Sequence, residues 1–365
     1  MSVQLKLRPY GVSPKVSVKE CSCDATCTRG RCVRATGSFQ KPKHRTGYII
    51  AVTVLAAAAL VLTIAILSYE NPMPFGSSGY WSIAKMRGTA IVTMLIVAVC
   101  QAFATVSFQT ATSNRIITPS IMGFEALYVA IQTSLIFFFG VAGFSLLGVR
   151  GQLILQSLIM IGFACLLYGW LLSGKFGNIH ITLLVGVVIG GGLGALATFM
   201  QRLLTPSDFD ILTAKLFGNV SNADPATFPV VIPVVVLTAA VIWRRAAKLN
   251  CLQLGSTVST NLGLNHRREV MVSLLLVSIL MAMTTSLVGP MTFLGFLVAT
   301  LAYQVVDSYD HRLILPVAGL IGYVILAGAY FVMKNVFYAQ GAVTIIIELV
   351  GGLAFLFFVL RKGRL

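Results

Sequence analysis

Apolar runs of about 20 residues recur along this chain, and they constrain its fold more than any other feature. A run of that length crosses a hydrocarbon layer about 30 Å thick when it is helical. Of 365 residues, 57% are hydrophobic and only 10% are charged, whereas a soluble domain has roughly 25% charged residues. A water-soluble surface cannot be built from so few charges. The sequence therefore predicts an all-α, polytopic integral membrane protein.

Ten such runs mark the predicted transmembrane helices. They are 46–68, 88–108, 121–147, 153–173, 179–200, 228–243, 270–288, 293–306, 313–333 and 343–360. The runs 228–243 and 293–306 are shorter than a full span and have Pro or Gly beside them. Short helices are tolerated at membrane depth where protein or a water-filled cavity covers the freed backbone groups.

Lys and Arg residues gather on one side of the predicted bundle. If both termini lie inside, only six of the 27 basic residues fall in outside loops: Lys85, Arg87, Arg150, Arg202, Lys215 and Lys334. Cytoplasmic loops are enriched in Lys and Arg, so both termini are predicted to be cytoplasmic. Contact with anionic lipid headgroups explains the net charge of +16. No stretch resembles a basic domain with base-stacking aromatic residues, so nucleic acid is not an expected partner.

The chain divides into two predicted parts. Residues 1–46 are basic and poor in large apolar residues, and we expect a flexible cytoplasmic extension. Residues 47–365 form the transmembrane domain. The extension holds a cysteine cluster, Cys21, Cys23, Cys27 and Cys32. Thiolates at this spacing are a weak candidate for a zinc or iron-sulfur site, and the alternative is reduced, unliganded cysteine.

Few ionisable residues lie inside the predicted spans. The acidic ones are Glu125 and Glu348, each near a helix end, and no series of Asp, Glu or His crosses the bilayer. This pattern argues against an ion-coupled pump or a proton relay. For these two glutamates the sequence leaves two interpretations: a gating role, or an ordinary interfacial or helix-terminal position. The four histidines fall in separate segments, so no enzyme site is indicated.

The fifth span is rich in glycine. Gly186, Gly190 and Gly194 recur at intervals of four, which places them on one helical face. Small residues at this spacing allow another backbone to approach closely. The face is therefore either a tight helix contact within the subunit or the lining of a translocation pathway. After this span, residues 205–227 form a polar outside loop long enough to meet a partner.

The inside loop between the sixth and seventh spans predicts a short amphipathic helix. Leu254, Val258 and Leu262 are spaced by four, and Gly263 follows where a helix commonly ends. An apolar stripe on the cytoplasmic face either receives a protein partner or lies on the lipid.

These segments resemble the permease subunits of ABC importers for iron-siderophores, haem and cobalamin. The resemblance begins at Leu254-Gly255 and Asn261-Leu262-Gly263, and continues through LVGPMTFLGFLV at 287–298. It extends to Gln109 and to the segments 114–123, 310–316 and 347–352, so that it covers the chain from about Gly47 onward. The form TPSIMGFEALY at 118–128 is most similar to permeases for catecholate-type ferric siderophores. The chain departs from the family in lacking Asn-Pro-Leu-Ala after the second span and in carrying LVAT at 297–300.

The resemblance implies a transport subunit of the bacterial plasma (inner) membrane that is not an enzyme. The chain has no G-x4-G-K-[ST] phosphate loop, so no cofactor is expected in it and ATP would be bound by a partner ATPase. The implied partners are cytoplasmic ABC ATPase subunits, a second copy or a sister permease, membrane lipid and an extracytoplasmic siderophore-binding protein. The implied cargo is a ferric siderophore. The alternatives are haem or cobalamin, or a transporter or channel subunit outside the ABC class.

The resemblance also implies three sets of site residues. A translocation pathway would be lined by Gly186, Gly190, Gly194 and Gln109. Coupling to the ATPase would involve Leu254, Gly255, Val258, Leu262 and Gly263. Docking of the binding protein would involve Arg87 and Lys334, for which the alternative is ordinary snorkelling at the membrane interface.

Overall fold

The computed structural model describes residues 38, 42–69, 76–145, 148–173, 179–217, 220, 223–336 and 343–362. Within these ranges every regular element is helical. A helix pairs its backbone groups within one segment, which a bilayer without water requires. The cysteine cluster and nearly all of the predicted 1–46 extension lie outside the described residues, and their roles stay predictions.

Thirteen α-helices occur in the described ranges. They are α1 (Pro42–Ser68), α2 (Ser78–Ala111), α3 (Glu125–Ser145), α4 (Gly148–Ser173), α5 (Ile179–Arg202), α6 (Pro206–Leu216), α7 (Phe228–Arg244), α8 (Ala246–Leu252), α9 (Ser256–Asn261), α10 (His266–Val288), α11 (Leu294–Val305), α12 (His311–Asn335) and α13 (Val343–Lys362). A π-helical turn, Ser120–Phe124, leads into α3, and a 3-10 turn, Pro225–Thr227, leads into α7.

The predicted spans are confirmed as helices. Eight helices of the described chain are long and apolar enough to cross a membrane, and two shorter apolar stretches, Leu294–Val305 and Val343–Phe357, lie in α11 and α13. The predicted start of the second span at Gly88 is wrong, because α2 begins at Ser78. The hydroxyl of Ser77 accepts a hydrogen bond from the Tyr80 N–H at 3.1 Å and caps this helix. Lys85 and Arg87 therefore belong to α2 and not to a loop.

Helix α2 lies at the centre of the bundle. It packs against α10 and α12, and its side chains Met94, Val97 and Phe108 are fully buried. Around this centre, α4 packs on α10, α5 packs on α3, and α1 lies against α12 at the periphery. Large exposed apolar side chains cover α1 and α13, which suits helices that face lipid or another membrane subunit.

The predicted polar loop at 205–227 is partly helical. Thr205 caps α6 through a hydrogen bond from the Asp208 N–H at 3.4 Å. Asp224 caps the following 3-10 turn by accepting the Ala226 N–H at 2.8 Å. These caps fold the segment against the bundle, and α6 packs on α3.

Candidate translocation and coupling sites

Of the three glycines on the predicted α5 face, two form a close contact with the π-helical turn. A Cβ atom on Gly190 would lie 2.7 Å from the Cα of Gly123. A Cβ on Gly186 would lie 3.0 Å from the Met122 Cε and 3.2 Å from its carbonyl oxygen. Gly194 meets nothing within 4 Å. The face thus divides into a tight contact and an open part, and a pathway role for these glycines stays a prediction.

Glu125 bridges two breaks in the helical bundle. It opens α3 directly after the π-helical turn, and one carboxylate oxygen accepts the Met291 N–H at 3.1 Å. The other oxygen accepts the Thr292 hydroxyl at 2.5 Å. Glu125 is only 8% exposed, so it is a helix-terminal carboxylate inside the bundle and not an interfacial one. Glu348, by contrast, is exposed on α13.

Gln109 lies near the end of α2, apart from the glycine contact. Its side-chain N–H donates to the Arg115 carbonyl at 2.7 Å, which holds the turn that follows α2. The Arg115 guanidinium lies 4.7 Å from the centre of the Tyr303 ring. Gln109 faces this turn, whereas Gly186 and Gly190 face Met122 and Gly123.

A buried polar cluster joins α8, α12 and α2. The Asn250 side-chain oxygen accepts the His311 N–H at 2.9 Å and lies 2.6 Å from the His311 Nδ1. The other ring nitrogen lies 2.7 Å from the Thr110 hydroxyl, and Asn250 donates to Asp310 at 3.1 Å. Sequence reasoning matched the segment 310–316 to a family but missed this cluster, because Asn250 is 61 residues away from His311.

The carboxyl of Asp310 also receives hydrogen bonds outside this cluster. Ser38 donates to it at 2.9 Å, and the Arg312 N–H donates at 3.0 Å. Burial raises the pKa of Asp310, but these hydrogen bonds, the one from Asn250 and the Arg312 charge outweigh burial and hold the pKa below its ordinary value. Asp310 is therefore an ionised anchor at the start of α12.

The segment predicted to couple to the ATPase, which we call the coupling segment, covers residues 245–263 and contains α8 and α9. Gly255 has a φ of +88° and breaks the chain before α9, so Leu254 precedes this helix and does not form its first turn as predicted. The predicted end at Gly263 agrees with the structure, where its φ is +82°. The Leu264 N–H donates to the Ser259 carbonyl at 3.1 Å, which is the hydrogen bond of a Schellman motif.

The apolar side chains of the coupling segment are exposed. Leu254 is 57% exposed, Val258 44% and Leu262 59%. The opposite face of α9 is anchored, because Ser259 is buried and its hydroxyl lies 2.8 Å from the His266 Nδ1. The result is an apolar stripe on a supported helix.

Glu269 holds the base of the coupling segment. Its carboxylate pairs with Arg245 and accepts a hydrogen bond from the Lys248 ammonium at 2.8 Å. Arg245 and Lys248 lie at the start of the segment, and Glu269 lies in the first turn of α10. This pairing ties the start of the coupling segment to the first turn of α10.

Arg87 and Lys334 lie at the same end of the bundle, close enough for their charges to interact. The Arg87 guanidinium donates to the carbonyls of Ile66 at 3.0 Å and Tyr69 at 2.7 Å, which caps the end of α1. Lys334 lies over the Tyr330 ring, 5.9 Å from its centre. Arg87 thus has a structural role that sequence reasoning did not consider.

Residues 49–361 match the model of the FecCD transport family. This chain belongs to the FecCD transport family. The resemblance drawn from the motifs at 109–123, 254–263, 287–298 and 310–316 is therefore confirmed. Members of the family are transport subunits, and this FecCD chain is a multi-pass protein of the plasma membrane.

Two bacterial permease proteins are similar in sequence to this FecCD chain over most of its length. It is 48% identical to the petrobactin import system permease protein FatC of Bacillus anthracis, over 91% of this chain and 94% of the relative. It is 32% identical to the petrobactin import system permease protein YclO of Bacillus subtilis (strain 168), over 86% of this chain and 98% of the relative.

The fold of this FecCD chain also matches a solved structure. A metal-chelate type ABC transporter in an inward-facing conformation superimposes with a TM-score of 0.75 and 19% identity. The match covers 85% of this chain and 98% of that chain. The two proteins share the helical permease fold.

Proposed function

We propose that this chain is the membrane-spanning subunit of an ABC importer that carries a ferric siderophore into the cytoplasm. A separate ATPase subunit drives it. The observation that carries the proposal is the 48% identity to a petrobactin import permease over 91% of the chain. That relative's cargo narrows the expected substrate to ferric petrobactin or a closely similar chelate.

The pathway lies between two permease subunits, either two copies of this chain or this chain and a sister. Exposed apolar faces on α5 and α13 support such a pairing. Gly191, Gly192 and Gly194 all face open space on α5. Small residues there leave room for a bulky chelate beside the helix, while Gly186 and Gly190 fix the helix on its own subunit.

The ATPase binds the apolar stripe of Leu254, Val258 and Leu262. An exposed stripe on a short helix suits insertion into a groove of a soluble partner. The ion pairs of Glu269 with Arg245 and Lys248 make the stripe a rigid attachment to α10. Nucleotide-driven closure of the ATPase then moves the helices of the bundle as rigid bodies.

The orientation follows from the positive-inside rule, with both termini in the cytoplasm. The coupling segment and Asp310 then lie inside, and Arg87, Lys334 and α6 lie outside. An extracytoplasmic siderophore-binding protein docks at that outer end. Lys334 meets its acidic surface, and Arg87 supports the docking surface through the end of α1.

The test is ATP-dependent uptake into proteoliposomes. The chain is reconstituted with its ATPase and binding protein and offered 55Fe-labelled ferric petrobactin. We expect accumulation that requires both ATP and the binding protein. Accumulation that is independent of ATP would contradict the ABC assignment. Transport of haem or cobalamin in place of ferric petrobactin would change the assigned substrate but not the assignment as an ABC importer.

A further inference from the structure

A polar pocket opens near the outer end of the bundle. It encloses about 400 Å3 between α3, α4, α6 and the carboxyl end of α10. Binding sites for small molecules typically enclose roughly 300–1,000 Å3. Gly289 lines the pocket, two residues before the Met291 N–H that Glu125 accepts. The pocket therefore reaches from the outer end to the break between α10 and α11.

Two buried glutamines line this pocket. Gln132 is 5% exposed and Gln156 is 2% exposed. The Gln132 side-chain N–H donates to the Gln156 carbonyl oxygen at 2.8 Å. This bond leaves the Gln132 oxygen and the Gln156 amide nitrogen without a well-aligned hydrogen-bond partner among the described residues. The buried Tyr128 hydroxyl lies beside both amides and donates to the Lys215 carbonyl at 3.5 Å. Buried polar groups without partners are costly, so such a pair indicates that a ligand or water completes it.

The orientation of the two amides does not change what they offer. If both side chains were turned over, Gln156 would donate to Gln132, and the pair would still present one donor and one acceptor. A ligand group that carries both functions satisfies the pair. In a primary amide, the N–H donates to the glutamine oxygen while the carbonyl oxygen on the same edge accepts from the glutamine nitrogen. A hydroxyl group serves in the same way.

The rest of the lining favours an uncharged group on an apolar stem. Lys215 and Asp224 both line the pocket, so its charged side chains balance. Burial lowers the pKa of Lys215, because desolvation disfavours its charged form. Phe217 and Leu287 add apolar surface to the walls. An aromatic or aliphatic arm ending in an amide or hydroxyl fits this environment.

We infer that this polar pocket binds an amide- or hydroxyl-bearing arm of the ferric chelate through Gln132 and Gln156. The inference rests on the proposed import function and deepens it, because it places part of the cargo recognition in the permease itself. The arm enters when the chelate leaves the binding protein at the outer end. The remainder of the chelate stays outside the pocket, toward the pathway between the two subunits.

The test measures binding of 55Fe-labelled ferric petrobactin to the full-length permease with its ATPase in nanodiscs, without binding protein. The double variant Gln132→Leu with Gln156→Leu removes both free amide groups. We expect its dissociation constant to rise about tenfold, the size expected for the loss of two net hydrogen bonds. Yield and monodispersity of the purified complex report whether the variant folds.

A second variant keeps the glutamines. Ala214 lies on the exposed rim of the pocket, so Ala214→Trp fills the space from outside and weakens binding. Ala57→Trp on the exposed face of α1 is the matched control, and its binding equals that of the wild type. Equal affinity of the wild type, the double glutamine variant, Ala214→Trp and Ala57→Trp overturns the inference. A wild-type complex that does not bind the chelate overturns it as well.

Uptake in cells separates this inference from the function on which it rests. If the wild-type chain restores ferric petrobactin uptake while the pocket variants bind as tightly as the wild type, the pocket is wrong and the import function stands. If the wild-type chain restores uptake of no ferric siderophore, the proposed function fails and the pocket inference fails with it.

Discussion

Gly190 lies so close to Gly123 that a Cβ atom added to Gly190 would be 2.7 Å from the Gly123 Cα. The contact is backbone to backbone, and Gly123 has a φ of +99°, which L side chains rarely adopt. Gly190 lies near the middle of α5, and Gly123 lies in the π-helical turn before α3. The two glycines therefore fix an irregular piece of backbone beside the centre of a membrane span, where protein must cover it.

Replacing Gly190 with Ala should destabilise the fold. The added methyl group overlaps the Gly123 backbone, and overpacking of this kind costs about 1–3 kcal/mol. Thermal unfolding of the detergent-purified chain should show a lower midpoint for Gly190→Ala. Gly194→Ala is the control, because its methyl group meets open space, and its midpoint should match the wild type. Equal midpoints for both variants would contradict the contact.

Replacing Glu125 with Leu should destabilise the fold more than replacing it with Gln. Leu leaves the Met291 N–H and the Thr292 hydroxyl unpaired in a buried position, at about 1–3 kcal/mol for each unsatisfied group. Gln keeps an oxygen that can accept one of them. The same unfolding measurement ranks the two variants, with Glu348→Gln on the exposed face of α13 as the control. A Leu variant as stable as the wild type would show that the bridge is unimportant.

The helices were predictable from the sequence because the bilayer imposes a local rule. Each span must be apolar along about 20 consecutive residues, so the runs 46–68 and 270–288 identify α1 and α10 without knowledge of any neighbour. The rule does not predict where a helix begins or ends at the membrane surface. The second run starts ten residues late, because Ser77 caps α2 before the charged residues Lys85 and Arg87.

Contacts between residues far apart in the chain could not be predicted from the sequence, and the reason is physical. The hydrogen bonds that Glu125 accepts from the α10–α11 break join residues 166 and 167 positions apart. The Asn250 and His311 contact joins two helices whose packing no periodicity specifies. Even the glycine spacing on α5 indicates only that one face approaches something closely. It took the fold to show that Gly186 and Gly190 meet the π-helical turn while Gly194 does not.

Replacing Leu262 with Asp should abolish uptake without disturbing the fold. The side chain is 59% exposed, so its loss removes an apolar contact for the ATPase and leaves the bundle intact. Gly263 is less suitable for this test, because its φ of +82° strains any replacement. Copurification of the ATPase with Leu262→Asp should fall severalfold.

The control for this experiment carries the same charge on the same short helix. Thr257 is exposed on α9 and lies off the apolar stripe, so Thr257→Asp should retain both the ATPase and uptake. Loss of both in the two variants alike would point to charge repulsion, and retention in both would refute the docking role of the stripe.

Replacing Lys334 with Ala should weaken docking of the binding protein in a salt-dependent way. Rim charges steer association and are screened by salt, so the wild type should lose affinity with added salt more steeply than the variant. Lys85→Ala, an exposed cation on α2, is the control. Arg87→Ala should instead lower thermal stability, since it uncaps α1. Identical salt slopes for the wild type and Lys334→Ala would remove Lys334 from the docking surface.

The most direct measurement of the central claim is uptake of 55Fe supplied as a panel of ferric siderophores, in cells that lack this chain and in cells to which it is restored. The account predicts that uptake of ferric petrobactin is lost without the chain and regained on restoration, while uptake of unrelated chelates is unchanged. Uptake that is the same with and without the chain across the whole panel would contradict the assignment as a ferric siderophore importer.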